Sequence, residues 1–422
     1  MRYKNEYINI LKEELRPAMG CTEPIAIAYA ASIAKDTLGC LPDKVKIYVS
    51  GNILKNVKSV VVPNTDGLRG IKTAVSIGLI AGIKELELEC ISKVSAEQRN
   101  ECIKYMDSAS IEILQSLSDF IFDIHLFVYK DNNEVEVRIV DNHINVVFIR
   151  KNNSVILEKE ITNAKTVSKL TDRSILSVEE IYDFALNVNL EEVKDLIELQ
   201  MHDNMAIAEE GLKNPYGANI GKTLLVSYPN DISVKAKAYA AAGSDARMNG
   251  CELPVIINSG SGNQGLTCSV PVIVYADELG VSYEKKLRAL VLSNLLTTHI
   301  KTGIGRLSAY CGAVAAGCAA GAAIAFLHGG DLKMISHTIV NSLAIVSGII
   351  CDGAKASCAA KIASSVDAGI LGWKLYKEGN QFYAGDGIVV KGVENTIKSV
   401  GLLASEGMVE TDKEIIKLML CS

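Results

Sequence analysis

The sequence predicts two domains, an α/β domain over residues 1–180 and a mainly α-helical domain over residues 181–422. Runs in which apolar and polar residues alternate, the pattern of half-buried strands, occur mainly in the first part. From about residue 177 onward, helical spacing dominates and Ala and Gly are frequent. A chain of 422 residues is also long enough to form more than one core. We therefore place the boundary between residues 170 and 190.

The first domain is predicted to begin with an amphipathic helix in MRYKNEYINILKEEL, and a second helix is expected after Pro24. The segments DKVKIYVSG and SVVVP alternate like strands, with a turn at Gly51 between them. The segment GIKTAVSIGLIAGI then has the apolar spacing of a helix. Mixed helices and strands of this kind are expected of an α/β domain.

Four β-rich runs follow, DIHLFVYK, NEVEVRIV, INVVFIR and SVILEKEI. They are separated by DNN, DNH and KNN, which are typical turn sequences. Short turns join antiparallel neighbours, so the four runs predict a β-meander. The segment SVEEIYDFALNVN then opens the helical part of the chain.

Composition favours a folded protein that acts on a small molecule. About half of the residues are apolar, 49%, and 22% are charged. A formal net charge of −6 and a pI near 5.7 give no electrostatic reason to expect nucleic acid or an anionic membrane as a partner. We expect a small-molecule substrate, and a homodimer is compatible with the sequence.

The chain is also expected to stay in the cytoplasm. Its N-terminus carries charges throughout and lacks the apolar stretch of a secretory signal. The apolar segment AYCGAVAAGCAAGAAIAFL is rich in Ala and Gly, which favours a buried helix over a membrane span. In a reducing compartment the 11 cysteines are expected to be thiols, core residues or metal ligands rather than disulfides.

The segment GSGNQG, residues 260–265, matches the dinucleotide-binding fingerprint and follows the apolar run LPVIIN. We expect Pro271 to interrupt the helix that would carry the phosphates, and no second βαβ unit follows, so a Rossmann fold is disfavoured. The backbone N–H groups of such a turn can instead hold a carboxylate. A purely structural turn remains the alternative. The candidate substrate-binding residues are Ser259, Gly260, Ser261, Gly262, Asn263 and Gln264.

The segment AAGSDARMNG places Asp245 and Arg247 in an alanine-rich helical context. An ordinary surface ion pair between them is one interpretation. If Arg247 is buried, its charge needs a partner, either Asp245 or a substrate carboxylate. Both residues are therefore candidates for substrate binding.

Four cysteines form two spaced pairs, Cys311 with Cys318 and Cys351 with Cys358. Residues seven apart on one helix are separated by about 10.5 Å along its axis, too far to share one compact site. Asp352 and Gly353 can break the helix and bring Cys351 toward Cys358, whereas nothing breaks the segment from Cys311 to Cys318. A site of Cys311, Cys351 and Cys358 would offer three thiolates, and a 4Fe-4S cluster bound there would keep one iron open. Buried free thiols remain the alternative.

Five segments in order along the chain, RPAMGCTEPIAIAYA, SDARMNG, NSGSGNQG, RLSAYCGAVAAG and GIICDGAKASC, resemble the L-cysteine desulfidase family, which is related to the iron–sulfur L-serine dehydratases. The likeness begins at residue 16 and covers nearly the whole chain. It implies β-elimination of L-cysteine to sulfide, ammonia and pyruvate, with a 4Fe-4S cluster and without pyridoxal phosphate. It also implies that Cys311, Cys351 and Cys358 bind the cluster and that the helical domain is the iron–sulfur catalytic domain.

The dehydratases carry a Ser-Ser-His-Thr sequence where this chain has MGCTEP, with Cys21 and Glu23. This departure favours the desulfidase branch. Cys21, Thr22 and Glu23 are the catalytic candidates, and a Cys21 thiol with a lowered pKa, or Glu23, would take the proton from the substrate Cα. Helix capping by Thr22 and Glu23 remains the structural alternative. Cys21 or Cys421 is also considered as a fourth cluster ligand at rest.

We therefore predict an L-cysteine desulfidase. An iron–sulfur L-serine dehydratase is the alternative enzyme, and an iron–sulfur sensor without turnover is the alternative from another class. Because the MGCTEP motif lies in the first predicted domain and the cysteine ligands lie in the second, the site is expected to form where the two domains meet.

Overall fold

The computed structural model describes residues 2–118, 120–160, 170–228, 230–305 and 308–421, with side chains through Met419. The described helices are α1 Lys4–Glu14, α2 Thr22–Leu38, α3 Gly51–Val57, α4 Gly70–Ala81, α5 Ala96–Ser108, α6 Val178–Asn187, α7 Lys194–Lys213, α8 Ile220–Ser227, α9 Ile232–Met248, α10 Gly262–Glu278, α11 Tyr283–Ile304, α12 Gly312–Leu327, α13 Leu332–Val346, α14 Cys358–Lys377, α15 Val393–Leu402 and α16 Val409–Cys421. The described strands are β1 Pro17–Met19, β2 Lys44–Val49, β3 Ser110–Gln115, β4 Asp123–Lys130, β5 Asn133–Val140, β6 Val146–Lys151, β7 Ser154–Glu158 and β8 Pro254–Ile256.

An α/β region with a mixed sheet comes first in the chain, and a helical region follows. The larger sheet has the order β3-β2-β4-β5-β6-β7, in which only β2 and β3 are parallel. The predicted meander is confirmed, and β4 and β5 coincide with the segments DIHLFVYK and NEVEVRIV. The division into two domains near residue 180 remains a prediction.

Alternation gives the sheet one buried face. Val45, Ile47 and Val49 of β2 lie opposite buried residues of β4, for example Ile47 opposite Leu126. Helix α2 packs on this sheet through β4 and β5 and also contacts α4. The sheet and α2 therefore share one core, and the N-terminus of α2 has a fixed position relative to the turn between β5 and β6.

Three expectations about elements are corrected by the structure. The segment SVVVP is not a strand: only Val61 makes an isolated bridge, to Arg69. Gly51 begins α3 instead of a hairpin turn, because the Ser50 hydroxyl caps the helix by accepting from Ile53 N at 3.5 Å. Pro271 does not interrupt α10, and the Ser293 hydroxyl donates to the Cys268 carbonyl nearby at 2.6 Å.

Helices α12 and α14 approach each other with backbone against backbone. A Cβ atom added to Gly317 would lie 2.4 Å from the Ser365 carbonyl oxygen, and one added to Gly321 would lie 2.3 Å from that of Gly369. Both contacts advance in the same direction along the two helices, so α12 and α14 run parallel. Their N-termini therefore lie at the same end, which explains the many Ala and Gly residues of α12.

The apolar helix α12 is buried from Ala313 to Leu327. Among the residues that the structure describes, no helix is both long and apolar enough to span a membrane.

Candidate active site

A two-stranded ribbon joins the N-terminal motif to the glycine-rich turn. Strand β1 pairs antiparallel with β8, with Pro17 opposite Ile256. Residues 20–23 follow β1, and residues 258–261 follow β8. The Thr22 hydroxyl lies 3.2 Å from the Gly260 carbonyl oxygen. The ribbon is only three residue pairs long, and segments more than 200 positions apart in the sequence come into contact beside it.

The three predicted ligand cysteines are positioned by α12, α14 and a short antiparallel pairing. Cys311 precedes the first residue of α12, and Cys358 is the first residue of α14, so the parallel helices place both at the same end. Residues 309–311 pair with residues 349–351 through Cys351 N to Ala309 O at 2.6 Å and Cys311 N to Ile349 O at 3.1 Å. This pairing adds Cys351 to the same wall.

The chain from Cys351 to Ser357 is not helical, as the sequence predicted, and α14 begins only at Cys358. Gly353 has φ +96°, and a Cβ atom there would lie 2.3 Å from the Lys55 carbonyl oxygen. Only glycine fits both the backbone angle and this close approach. Cys318 lies within the buried interior of α12, consistent with the helix-rise argument.

One cavity collects most of the predicted site residues. It encloses about 940 Å³ of non-atom space, part of it open to solvent. The predicted residues that line it are Cys21, Glu23, Arg247, Ser259, Gly260, Ser261, Asn263, Gln264, Cys311, Cys351 and Cys358. The other three predicted residues, Thr22, Asp245 and Gly262, are not part of its lining, although Thr22 contacts Glu23 and Gly260 behind it.

Four helix N-termini contribute residues to this cavity, those of α2, α10, α12 and α14. Their N-cap residues are Cys21, Ser261, Cys311 and Ser357, and none of the four caps its helix with a side-chain hydrogen bond. The first N–H groups of a helix carry partial positive charge. An anionic ligand is therefore favoured electrostatically in this cavity.

Glu23 is buried and held by several donors. Its Oε1 accepts from Asn56 Nδ2 at 3.0 Å, and its Oε2 accepts from Cys21 Sγ at 3.0 Å. Burial acts to raise the pKa of Glu23, but the positive charge of His143 and the hydrogen bonds outweigh burial and lower that pKa overall. Glu23 is therefore a carboxylate at neutral pH.

The environment of Cys21 differs from the sequence expectation. Burial first, and then the negative charge of Glu23, raise the pKa of the Cys21 thiol well above its ordinary value. A lowered pKa for this thiol was therefore the wrong expectation. Cys21 is a protonated donor to Glu23, and the carboxylate is the ionised member of this pair.

Arg247 is buried and faces the cavity beside the start of α10. Its Nε has no hydrogen-bond partner within the described residues. A Cβ atom added to Gly262 would lie only 2.3 Å from that Nε, so glycine is what lets the guanidinium approach the helix N-terminus. The Gln264 side-chain oxygen is likewise buried without a partner in the part of the chain described. Such groups indicate a place prepared for a polar ligand.

Asp245 does not pair with Arg247, because residues two apart on a helix point to different sides. Its Oδ2 instead accepts from Gly221 N at 3.1 Å, at the start of α8. Burial raises the pKa of Asp245 to about 6. Asp245 therefore supports α8, and the surface ion pair with Arg247 is corrected because Asp245 is buried. Its contact with substrate stays a prediction.

The cysteine wall, defined as Cys311, Cys351 and Cys358, has donors that suit an iron–sulfur cluster. Burial first, and then the charge of Cys351, raise the pKa of the Cys311 thiol to about 12. Within the described residues, no three His, Cys, Asp or Glu side chains lie close enough together to bind a single metal ion. A four-iron cluster has its irons at separate corners, so its cysteine ligands stand further apart than those of one ion. Three soft donors around one cavity therefore fit a cluster better than a single cation.

Several residues of the cavity were not predicted. They include Lys55, Asn56, Phe122, His143, Lys301 and Tyr310. His143 lies in the turn after β5, where the DNH signal indicated only a turn. Lys55 is buried in α3 and bonds to Asp412 at 2.5 Å and to the Cys351 carbonyl at 3.3 Å. A single lysine in so short a helix gave no indication in the sequence that its side chain would be buried beside the cavity. The side chain of Cys421 lies outside the described residues, so its role as a resting ligand remains a prediction.

Comparison with known proteins links this chain to one family. Residues 85–417 match the family model described as serine dehydratase alpha chain. A UPF0597 protein of Desulfitobacterium hafniense is 57% identical over 419 residues, covering 99% of this chain and 97% of that protein. UPF0597 proteins of Lachnoclostridium phytofermentans and Treponema denticola are 50% and 47% identical, each over 98% of this chain and over 99% and 97% of their own lengths.

Proposed function

This chain belongs to the serine dehydratase alpha chain family, whose members are iron–sulfur enzymes, and we propose that it is an L-cysteine desulfidase. The reaction would convert L-cysteine and water into sulfide, ammonia and pyruvate by β-elimination. The observation that carries this proposal is the single cavity shared by the cysteine wall, the glycine-rich turn and the Cys21–Glu23 pair. Each of the three parts supplies one requirement of the elimination.

The first requirement is to hold the amino acid by its carboxylate. Arg247, with its buried Nε, faces the start of α10 beside Gly262. The guanidinium and the first N–H groups of α10 can donate to one carboxylate from two directions. We call Arg247 and residues 259–264 the substrate wall. Binding there would leave the substrate side chain free to reach the cysteine wall.

The second requirement is to stabilise the leaving sulfur. Cys311, Cys351 and Cys358 would hold a 4Fe-4S cluster as thiolates. When bound, such a cluster supplies a Lewis-acidic iron for the leaving group. The positive ends of α12 and α14 favour the negative charge that three thiolates bring to this wall.

The third requirement is to take the proton from Cα. Glu23 is the ionised group, and Cys21 donates to it at 3.0 Å. We assign proton removal to this pair, with Glu23 as the final acceptor of the proton. Asn56 and Thr22 hold the carboxylate in place, and the contact of Thr22 with Gly260 keeps the pair beside the substrate wall.

The surroundings of Cys21 support cysteine over serine as the substrate. Cys21, Val60 and Met248 form a small apolar cluster, against which Cys358 and Ala354 pack. A site that recognises a hydroxyl group needs hydrogen-bond partners for it, whereas a thiol tolerates apolar and sulfur neighbours. Serine remains the second candidate substrate, because the matching family is that of serine dehydratases.

The test is an anaerobic assay of the cluster-reconstituted protein with L-cysteine and L-serine side by side. Equal amounts of pyruvate and sulfide from cysteine, at a rate well above pyruvate formation from serine, are the expected result. Pyruvate from serine alone would assign a dehydratase. If neither amino acid gives a product, the proposed enzyme activity is wrong, and a non-catalytic iron–sulfur protein is the alternative that remains. The Cys318→Ala variant is the control for a buried thiol outside the cavity and should stay active.

A further inference from the structure

A set of buried amide side chains lies directly behind the substrate wall. Gln200 and Asn204 belong to α7, Asn294 belongs to α11, and Asn258 is the first residue of the turn of residues 258–261 that leads into α10. All four side chains are fully buried, although asparagine and glutamine are usually exposed. None of the four lines the cavity. Their position therefore calls for a role other than contact with substrate.

The amides form a continuous chain of hydrogen bonds. Gln200 and Asn294 exchange two bonds, at 3.0 Å and 2.7 Å. Asn258 Nδ2 donates to Asn294 Oδ1 at 3.0 Å, and Asn258 Oδ1 accepts from the Ser259 hydroxyl at 2.8 Å. This series of hydrogen bonds thus connects α7, through α11, to Asn258 and Ser259 in the turn.

Asn204 holds the strand that leads into the same turn. Its Oδ1 accepts from Ile256 N at 2.8 Å, and its Nδ2 donates to Ile256 O at 3.2 Å. This amide pairs with β8 as another strand would. Gln200 and Asn204 are four residues apart, so one face of α7 supports both β8 and the turn.

The turn needs such support because its backbone is strained. Ser259 has φ +51° and Gly260 has φ +76°, two successive left-handed residues. A left-handed conformation is unfavourable for serine. Within the turn, Asn258 and Ser261 exchange two backbone bonds, at 3.1 Å and 3.0 Å. Without further contacts, such a short turn would sample other conformations.

We propose that Gln200, Asn204, Asn258 and Asn294 are positioning residues, which hold the turn of residues 258–261 so that the substrate wall can accept a carboxylate. This inference rests on the proposed function, in that the turn is taken to bind the substrate carboxylate. The network fixes the positions of the α10 N–H groups and of Ser259 in the ligand-free protein. The conformational entropy of ordering the turn is then lost on folding rather than on ligand binding.

The test compares Asn294→Ala with Asn341→Ala in the cluster-reconstituted protein. Asn341 is an equally buried asparagine that bonds to Gly372 O at 3.1 Å and to Phe382 N at 3.1 Å, away from the cavity. L-Alanine is the probe, because it carries the amino-acid groups but no leaving group. Calorimetry measures its binding, and amide hydrogen exchange measures protection of residues 258–264.

Asn294→Ala should weaken L-alanine binding roughly tenfold, the effect of losing about one to two buried hydrogen bonds, and should speed amide exchange in the turn. Asn341→Ala should leave both unchanged, although it also destabilises the fold. If Asn294→Ala does not fold, Gln200→Met removes the outermost amide with little change of volume, and a weakening of about threefold is expected.

Wild-type affinity and unchanged exchange of the turn in these variants would overturn the inference. A wild-type protein that binds no L-alanine would contradict the proposed function instead. In that case, faster exchange of the turn in Asn294→Ala alone would still support the positioning role of the network.

Discussion

The two walls of the cavity are built by opposite means. The cysteine wall depends on close packing, because α12 and α14 touch through glycine backbones that leave no room for a Cβ atom. The substrate wall depends on buried hydrogen bonds, which run from α7 and α11 into the turn before α10. Packed helix backbones form the first wall, and a turn held by buried polar side chains forms the second.

This difference has consequences for how each wall fails. Close packing of two helices is not lost gradually, because one added atom at the contact forces the whole helices apart. A hydrogen-bond network loses one bond at a time, and its effect on a ligand is graded. Changes to the cysteine wall should therefore affect folding and cluster retention, whereas changes to the substrate wall should affect affinity with the cluster intact.

The largest effect is expected from Gly369→Ala. A Cβ atom there would lie 2.2 Å from the Gly317 carbonyl oxygen, so the free energy of unfolding should fall by roughly 3 kcal/mol, and the cluster content should fall with it. Chemical denaturation and iron analysis measure both. Gly348→Ala is the matched control, because no heavy atom lies within 4 Å of its added Cβ, and it should behave as wild type. Equal stability of the two variants would show that packing does not set this wall.

A large effect on affinity is expected from Arg247→Ala. Losing a charge-assisted contact to the carboxylate should raise KM for L-cysteine by roughly a hundredfold, with iron content unchanged. Arg247→Lys keeps the charge but not the paired donors, so its KM for L-cysteine should lie between that of wild type and that of Arg247→Ala. Steady-state kinetics and iron analysis on the same preparations separate an effect on substrate affinity from an effect on cluster retention. Loss of iron together with affinity would contradict their independence.

Cys21→Ser tests the group that faces both walls. The substitution keeps a side chain of similar size but removes the thiol that contacts Glu23 at 3.0 Å. We expect a full cluster and a kcat for sulfide release lowered by at least about a hundredfold, the usual contribution of a positioned acid–base group. Loss of the cluster would indicate that Cys21 is a ligand. Retained activity would exclude Cys21 from proton transfer.

The smallest effect is expected from Asp245→Asn, on the same helix as Arg247 but facing α8. Burial raises the pKa of Asp245 from its ordinary 3.8 to about 6, so the folded chain binds a proton that the unfolded chain releases between these values. The free energy of unfolding should therefore fall as pH rises through this window. In Asp245→Asn this dependence should be weaker, with KM unchanged. Parallel pH profiles of the two proteins in urea denaturation would contradict the assignment.

Local patterns predicted the parts of this fold that depend on neighbours in the sequence. The meander followed from alternation and turn residues, and the helical rise between Cys311 and Cys318 separated a candidate ligand from a core residue. Helical spacing alone separates Asp245 from Arg247, but it does not tell which of the two residues faces the cavity. His143 was missed for a related reason: its turn reaches the site only through the packing of the sheet against α2, which no local pattern encodes.

The proposed function depends above all on an iron–sulfur cluster bound at the cysteine wall. The most direct test is iron and acid-labile sulfide analysis, with electron paramagnetic resonance of the reduced protein, on wild type, Cys351→Ala and Cys318→Ala after anaerobic reconstitution. We expect about four iron and four sulfide per chain in wild type and Cys318→Ala, as in a 4Fe-4S cluster, and loss of both in Cys351→Ala. Unchanged iron and sulfide in Cys351→Ala would contradict this expectation.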